Sequence, residues 1–328
     1  MKLILKKVIF SSAAMILAAD ITSVGLQAET FEHKSLRAFF APLPDSVPST
    51  TNPINDEKIT LGKKLFLDKR FSASGELSCN SCHNLATFGV DNEPTSPGHK
   101  GQRGGRNSPS VYNAAFHVAQ FWDGRAADVE AQALGPVLNP GEMAVASEAD
   151  VVKTMMSDPG YVASFKKAFP EEKNPVTFTN FGKAIGAFER TLLTPSRFDE
   201  YLKGKDDALN SAELKGLTTF RDVGCVACHN GAGIGGQMYQ KLGLVKPYTG
   251  KDMGRFDLTK NETDKFFFKV PSLRNIEKTA PYLHDGSIKT LPEMVKFMGE
   301  YQLGRELSQE QIDSIVIFLN SLTGTPVS

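Results

Sequence analysis

The chain places all four of its cysteines in two copies of one pattern. Residues 78–83 read SCNSCH, and residues 224–229 read GCVACH. Each copy contains C-x-x-C-H, the pattern by which c-type haem is attached to a protein. Two thiols one helical turn apart can add to the two vinyl groups of one porphyrin, and the histidine that follows can ligate the iron. The pattern therefore predicts two covalent haem c groups.

Each haem is assigned two thiols and one proximal iron ligand. The first haem is assigned Cys79, Cys82 and His83. The second haem is assigned Cys225, Cys228 and His229. The second axial ligand decides what each iron does, and histidine and methionine are the usual choices. Spacing alone does not choose among the other histidines and methionines of the chain.

Three other uses of the cysteines compete with haem attachment. A structural zinc site would need the two cysteine pairs to meet, and they lie much further apart in sequence than in a usual zinc module. Two disulfides, which an oxidising compartment favours, would not require a histidine after each second cysteine. A thioredoxin-like redox pair needs a strand–helix–strand context that the sequence lacks. Two full matches that use every cysteine favour haem.

The N-terminus has the layout of a secretory signal peptide. Three lysines precede an apolar run over residues 8–19, and Ala28 is a suitable residue before a cleavage point. The run is shorter than the roughly 20 residues that a membrane-spanning helix needs, although an uncleaved anchor is the alternative. We expect residues 1–28 to be removed and the mature protein to be periplasmic and soluble, with no membrane attachment.

The composition excludes several classes of protein. Hydrophobic residues make up 41% of the chain and charged residues 23%, as in ordinary soluble globular proteins. The formal net charge is +0, and no basic tract indicates a nucleic-acid partner. At 328 residues the chain is long enough for two domains.

A helix is predicted in front of each cysteine motif. Residues 56–68, DEKITLGKKLFLD, have apolar residues at helical spacing, and so do residues 211–225, SAELKGLTTFRDVGC. Ser211 is a suitable N-cap for the second of these helices. The two halves of the chain therefore look like a duplication at low sequence similarity.

Two further segments show a helical apolar stripe. Residues 177–193, TFTNFGKAIGAFERTLL, carry a stripe that is typical of a buried core helix. Residues 308–324 open with a capping box of Ser308 and Gln311, and Gly324 could end that helix. No segment shows clear strand alternation.

These elements predict a mainly α fold with two cytochrome c-like domains, each binding one covalent c-type haem, and with long loops. Long glycine- and proline-rich loops in a helical protein are reasonable if they wrap a group that is not protein. A boundary near residues 165–176 divides the chain into an N-terminal haem domain over residues 29–170 and a C-terminal haem domain over residues 171–328.

Longer stretches around the motifs resemble bacterial di-haem cytochrome c peroxidase. The first half contains CNSCH, GHKGQRGGRNSPSVYNAAF, QFWDGRA and NPGEM, and the second contains CVACHNG and FKVPSLRNIEKTAPYLHDGSIKTLPEMVKFMGEYQLG. The resemblance runs from about residue 54 to residue 320. It implies a peroxidatic haem in the N-terminal domain and an electron-transfer haem in the C-terminal domain.

The resemblance also implies the distal iron ligands. His99 matches the distal ligand of the first haem in the resting enzyme, and Met298 matches that of the second haem. Met294 lies one helical turn before Met298 and is the alternative. Glycines flank His99, which would allow it to leave the iron on activation.

Three residues take roles near the reaction by the same resemblance. Trp122 matches a tryptophan between the haems, Glu142 matches the acid–base residue above the peroxide site, and Gln132 lies in the pocket-lining region. Without the resemblance, Trp122 would be read as a core aromatic residue and Glu142 as a solvated loop carboxylate.

A calcium site at the domain junction is implied as well. Its ligands would be the side chain of Asn107 and the backbone carbonyls of Thr279 and Pro281. His117 and His284 are interpreted as structural residues, with His284 a possible link between the domains.

The implied activity is the reduction of hydrogen peroxide to water. The electron donor would be a small c-type cytochrome or a blue-copper protein, and the resemblance suggests a homodimer. Two other functions stay open: a di-haem electron-transfer cytochrome, and a di-haem enzyme that matures a tryptophan-derived quinone. In the latter a tyrosine ligates the second haem, and Tyr301 lies three residues after Met298.

Overall fold

Residues 32–326 are described by a computed structural model, in which the chain divides into two units, Met1–Phe39 and Phe40–Ser328. The described part of the first unit is a short helix over residues 32–37 and the turn that follows it. The predicted signal peptide over residues 1–28 lies outside the described residues. Among those that are described, no helix combines the length and apolar character that crossing a membrane requires.

The second unit is mainly helical, which confirms the predicted fold class. Its α-helices, in chain order, are α1 Asp56–Leu67, α2 Cys79–Cys82, α3 Val129–Gln132, α4 Gly135–Leu138, α5 Glu148–Met156, α6 Pro159–Ala168, α7 Phe178–Glu189, α8 Arg197–Leu202, α9 Ser211–Val223, α10 Phe256–Thr259, α11 Leu291–Leu303 and α12 Gln309–Asn320. Long connections between them, over residues 83–128 and 260–290, contain only short 3₁₀ turns and one short strand.

One small sheet interrupts the helical pattern. Strand β1, Tyr239–Lys241, pairs antiparallel with β2, Phe267–Lys269, and Tyr239 lies opposite Lys269. Neither strand is evident from the sequence, because three residues are too few to show an alternation of apolar and polar side chains.

Each cysteine motif follows a helix that packs closely on a later helix through a glycine. A Cβ atom on Gly62 of α1 would overlap the carbonyl oxygen of Ala184 on α7. A Cβ atom on Gly216 of α9 would overlap the carbonyl oxygen of Ser314 on α12 in the same way. Only glycine permits backbones to approach so closely.

One helical turn beyond each glycine, two phenylalanines meet across the same pair of helices. Phe66 of α1 and Phe188 of α7 have ring centroids 5.6 Å apart, and Phe220 of α9 and Phe318 of α12 have theirs 5.3 Å apart. Burial of a phenylalanine side chain contributes about 1.5–3 kcal/mol. The two halves of the chain therefore share a helix pair of one construction, as the expected duplication requires.

The N-terminal core extends beyond the predicted boundary in the sequence. Phe71 packs edge-on against Phe181 of α7, with ring centroids 5.0 Å apart, and both side chains are fully buried. Helix α7 follows residue 170, yet its apolar stripe completes the core built on α1. The division at residue 170 remains a prediction, and the helix pairing favours a first haem unit that includes α7.

Two helix ends differ from the sequence-based expectation. The N-cap of α9 is Asn210 rather than Ser211, since the Asn210 side chain accepts hydrogen bonds from two backbone amides of the first turn. Helix α12 begins at the predicted capping box but ends with Ser321 as C-cap. Gly324 lies beyond that end, where its amide donates to Oδ1 of Asn275 over 3.0 Å.

Candidate active site

The first C-x-x-C-H motif lines a cavity of about 180 Å³, called the first cavity below. Helix α2 is the single turn Cys79–Cys82, with a capping box between Ser78 and Ser81 at its start. Both thiols belong to the lining, as does His83, whose amide donates to the Cys79 carbonyl over 2.9 Å. The turn therefore brings the two thiols and the imidazole to one wall, which fits the attachment of a haem.

The His83 ring is prepared to act as a metal ligand. Its Nδ1 lies 3.0 Å from the carbonyl oxygen of Pro109, which leaves Nε2 for the cavity. Burial lowers the pKa of His83, so the imidazole is neutral at neutral pH. A ligating imidazole must be neutral, and a carbonyl that accepts from its other nitrogen fixes the ring orientation.

The second motif lines a larger cavity of about 230 Å³, called the second cavity. Gly224, with φ of 105°, ends α9 and turns the chain into the motif. Cys225, Cys228 and His229 all belong to the lining. Burial lowers the pKa of His229 to about 4. Nδ1 of His229 is also buried, and no group among the described residues makes a hydrogen bond of normal length and angle to it.

The competing uses of the cysteines find little support in this arrangement. All four cysteines are free thiols, and burial raises the pKa of both Cys79 and Cys225 to about 12. Within residues 32–326, no three His, Cys, Asp or Glu side chains are grouped so that they could hold a metal ion. The cysteine pairs line separate cavities, which is the opposite of what a shared zinc site needs.

Glu142 presents its carboxyl group to the first cavity from a tight turn. Nδ2 of Asn139 donates to Oε1 of Glu142 over 2.8 Å, while Oδ1 of Asn139 accepts from the Gly141 amide over 2.9 Å. Burial raises the pKa of Glu142, although the charge of Arg125 opposes that shift. Gln132, at the end of α3, lines the same cavity.

The loop that carries His99 is bound to the Glu142 turn. The His99 amide donates to the Glu142 carbonyl over 2.7 Å, and Gly98 approaches Gly141 so closely that any Cβ atom there would overlap. The His99 ring does not belong to the lining of the first cavity, although Gly98 and Gly104 do. Nδ1 of His99 is buried and lacks a hydrogen-bond partner in the described part of the chain.

Trp122 belongs to the lining of both cavities. Its Nε1 donates to the carbonyl oxygen of Asn107 over 2.9 Å, and its carbonyl oxygen accepts from the Lys269 amide over 2.8 Å. The indole ring meets the His284 ring edge-on, with centroids 6.4 Å apart. These contacts fix an aromatic ring between the two cavities.

Helix α11 contributes both candidate methionines to the second cavity. Met294 and Met298 line it, so the structure does not choose between them. Tyr301 is not part of that lining, and its ring stacks on Phe297 with centroids 4.2 Å apart.

The three predicted calcium ligands all line the second cavity. Nδ2 of Asn107 donates to the Glu93 carbonyl over 2.9 Å, whereas Oδ1 receives no hydrogen bond within residues 32–326. The carbonyl oxygens of Thr279 and Pro281 likewise receive none in that range. Asn107, Thr279 and Pro281 therefore bring three oxygens without a hydrogen bond to the lining of one cavity.

A buried cation in the second cavity is not evident from the sequence. Lys269 of β2 is 4% exposed, burial lowers its pKa to about 8, and Nζ lies 3.2 Å from Nδ1 of His117. Both side chains line the second cavity, a position that the interpretation of His117 as a structural residue does not indicate. A buried ammonium group that no described carboxylate pairs suits a ligand with anionic groups, such as the propionates of haem.

A mainly helical chain with two cavities, each walled by a C-x-x-C-H motif, has the construction of a di-haem c-type protein. The sequence pattern described as di-haem cytochrome c peroxidase matches residues 56–207. Comparison with characterised relatives extends this match over most of the chain. The chain belongs to the di-haem cytochrome c peroxidase family, which confirms the resemblance found in its sequence motifs.

Two relatives and one solved structure illustrate the match. The cytochrome c551 peroxidase of Pseudomonas aeruginosa is 48% identical over 299 residues, which cover 89% of this chain and 86% of that protein. The cytochrome c551 peroxidase of Nitrosomonas europaea is 50% identical over 275 residues, covering 83% and 81%. The crystal structure of a MauG-like protein associated with microbial copper homeostasis superposes with a TM-score of 0.78 at 30% identity, covering 86% of this chain and 93% of that chain.

Proposed function

We propose that this protein reduces hydrogen peroxide to two molecules of water, with two electrons from a small c-type cytochrome or a blue-copper protein. The observation that carries the proposal is the difference between the cavities. The first has a half-buried carboxyl group, Glu142, and the second has methionines on α11. A carboxyl group can move protons, whereas methionine ligation raises the potential of a haem.

The first cavity would hold a haem on Cys79 and Cys82 with His83 as proximal ligand. That haem supplies an iron at which peroxide is bound and reduced. Glu142 takes the proton from the near oxygen of peroxide and returns it to the far oxygen, which leaves as water. Asn139 holds Oε1 of Glu142, and Gln132 provides a polar amide at the same wall.

The second cavity would hold a haem on Cys225 and Cys228, with His229 and Met298 as the residues that bind its iron. That haem supplies a high-potential site that accepts electrons from the donor. Trp122 lines both cavities and offers an aromatic ring between them. Two electrons are needed for each peroxide, so two haems in one chain match the stoichiometry.

The His99 loop would control access to the first cavity. Lys100, with φ of 56°, and Gly101, with φ of 74°, place a left-handed kink directly after His99. Gly101 has open space around it, so the loop can change its backbone angles after His99 although Gly98 packs closely on Gly141. His99 would be the second residue that holds the first iron in the resting protein, and it would leave that iron on activation.

Replacing His99 by glycine is expected to remove the need for prior reduction. Oxidised His99→Gly protein should react with peroxide at once, because no imidazole competes for the iron. Stopped-flow absorbance with fully oxidised protein measures this directly. Lys100→Gly is the matched control, since it loosens the same loop but keeps the imidazole, and it should still need reduction. A His99→Gly protein that stays six-coordinate and unreactive until reduced would contradict the gate.

A calcium ion at the second cavity would stabilise the arrangement of the loops. Oδ1 of Asn107 and the carbonyl oxygens of Thr279 and Pro281 are hard oxygen ligands of the kind that calcium prefers. Since Asn107 also accepts from Trp122 and donates to the His284 carbonyl, an ion there would bear on the ring between the cavities.

The remaining parts of the proposal concern the setting of the protein. The predicted signal peptide over residues 1–28 supports export to the periplasm, where the donor would be a soluble redox protein. The family resemblance suggests a homodimer. The position of Tyr301, outside the lining of the second cavity, disfavours a quinone-maturation enzyme.

The function is tested with the purified exported protein. We expect c-type haem bands, two haems for each chain, and oxidation of a reduced small cytochrome c that depends on added peroxide. Haem bands without peroxide-dependent turnover would leave a di-haem electron-transfer cytochrome as the function. A spectrum without c-type bands would contradict the whole assignment.

A further inference from the structure

A second carboxyl group lies at the wall of the first cavity. Glu189, the last residue of α7, lines the cavity together with Glu142 and is 4% exposed. Within residues 32–326 its carboxyl group makes no hydrogen bond and no ion pair. The segment 177–193, whose apolar stripe predicts a core helix, contains this residue. A buried carboxyl group without a partner is an exception to the rule that buried charges are paired.

The adjacent arginine does not neutralise Glu189. Nε and Nη2 of Arg190 donate to Oε1 and Oε2 of Glu130 over 2.8 and 2.9 Å, so its charge is matched by a bidentate partner from α3. Nδ2 of Asn52 also donates to Oε1 of Glu130 over 2.9 Å. An ionised Glu189 would therefore add a second negative charge to a region that is already balanced.

The other charged groups of the first cavity are also matched. Arg106 pairs with Asp123 over 2.6 Å and with Asp252 over 2.7 Å. Arg125 pairs with Asp123 over 3.2 Å. The titratable groups that face the same space are Cys79, Cys82, His83 and Glu142. None of them offers a positive charge at neutral pH, so Glu189 has no counter-ion on any side of the cavity.

Burial and the charge of Glu130 raise the pKa of Glu189 to about 8, against a smaller opposing effect of Arg190. The side chain is then mainly protonated at pH 7. A neutral carboxylic acid resolves the absence of a partner, because it removes the buried charge while keeping a proton at the cavity wall.

We propose that Glu189 is a proton-storing residue of the first cavity: its acid form holds a proton beside the reduced first haem and releases it as peroxide is reduced, and where Glu189 is ionised, at alkaline pH, it takes up a proton together with the entering electron. The overall reaction consumes two electrons and two protons for each peroxide, and Glu189 would deliver one of those protons inside the pocket. Delivery of this proton to peroxide rests on the proposed function. The link between protonation of Glu189 and reduction of the first haem does not.

The sign of the coupling follows from electrostatics. An ionised carboxylate beside the haem disfavours an added electron, and an added electron disfavours loss of the proton. Above the pKa of Glu189 in the oxidised protein, each electron should therefore bring one proton with it. The equilibrium constant for reduction then falls up to tenfold for each pH unit, which corresponds to about 59 mV.

The proposal is tested by spectroelectrochemical titration of the two-haem protein between about pH 6 and pH 10. This range extends about two units to either side of the pKa of Glu189. We expect the potential of the first haem to fall with rising pH in the wild type. In Glu189→Gln the fall should be largely lost, and the potential should stay near the wild-type value at low pH. Glu171→Gln, an exposed carboxyl group in the same half of the chain, should match the wild type.

Two results would overturn the proposal. One is an unchanged pH dependence in Glu189→Gln, and the other is its loss in Glu142→Gln with Glu189 intact. Redox-difference infrared spectra of the wild type, recorded in H₂O and D₂O, provide a measurement that does not depend on folding of a variant. They should show the signal of a protonated carboxylic acid that responds to reduction, and its absence would also overturn the proposal. No peroxide is added in either measurement. A negative result for Glu189 can therefore be distinguished from the absence of the proposed peroxidase activity.

Discussion

Replacing Glu142 by glutamine is expected to slow peroxide turnover by about 10²- to 10⁴-fold, the usual contribution of a positioned acid–base group. Glutamine keeps the size of the side chain and can still accept the hydrogen bond from Asn139, but it cannot carry a proton between the two oxygens of peroxide. Both haems should remain attached, since the attachment thiols and the histidines that follow them are unchanged. Steady-state oxidation of a reduced small cytochrome c, normalised to haem content, measures the loss.

Glu148→Gln provides the matched control. Glu148 is an exposed carboxylate at the start of α5, a few residues beyond the turn, and its change to glutamine should leave turnover unaltered. If Glu142→Gln turned over at the wild-type rate, Glu142 would have no part in the reaction. The proton transfer would then have to come from another group of the first cavity.

Replacing Cys225 and Cys228 together by serine is expected to abolish turnover with an external donor. The protein would keep one covalent haem instead of two, because the second cavity loses both attachment thiols. Electrons would then have no entry site, even though the first cavity is unchanged. Haem content per chain and donor-dependent turnover are the two measurements, made on protein that elutes as a folded species.

The corresponding change in the first motif separates the tasks of the two cavities. A Cys79→Ser, Cys82→Ser protein should still be reduced by the donor through the second haem, yet should not consume peroxide. Both double variants lose one haem. If haem loss itself caused the defect, the two variants would show the same reduction by the donor. Donor-dependent turnover that survives in the Cys225→Ser, Cys228→Ser protein would contradict the assignment of the second cavity as the electron entry.

Sequence patterns predict the helical frame well, because long apolar stripes leave few alternatives. The stripes of α7 and α12 lie within the predicted segments, and the Ser308 capping box forms as expected. Short-range competition decides the details: Asn210 takes the cap that Ser211 was expected to supply, since its side chain reaches two amides at once. Three-residue strands such as β1 carry too little pattern to be found.

The candidate site is predictable only where a local motif fixes it. The C-x-x-C-H turns place thiols and imidazole together within a few residues, so they could be found from spacing alone. Lys269 and His117 come together from distant loops, and no local pattern reports that contact. The apolar stripe of residues 177–193 does not identify Glu189 as a site residue, because periodicity shows which face of a helix is buried but not what that face is buried against.

The glycine contacts at Gly62 and Gly216 bear on the history of the protein. Each holds a helix pair at a fixed separation, and the phenylalanines one turn away fill the space behind it. An ancestral single-haem unit that was copied would have had to preserve this spacing in both descendants. The loops outside the helix pairs carry no such constraint, so a histidine loop beside a carboxyl group could arise in one copy and a methionine helix in the other. The two helix pairs would thus have kept their geometry during evolution. The segments between them would have been free to change and to give each haem site its own task.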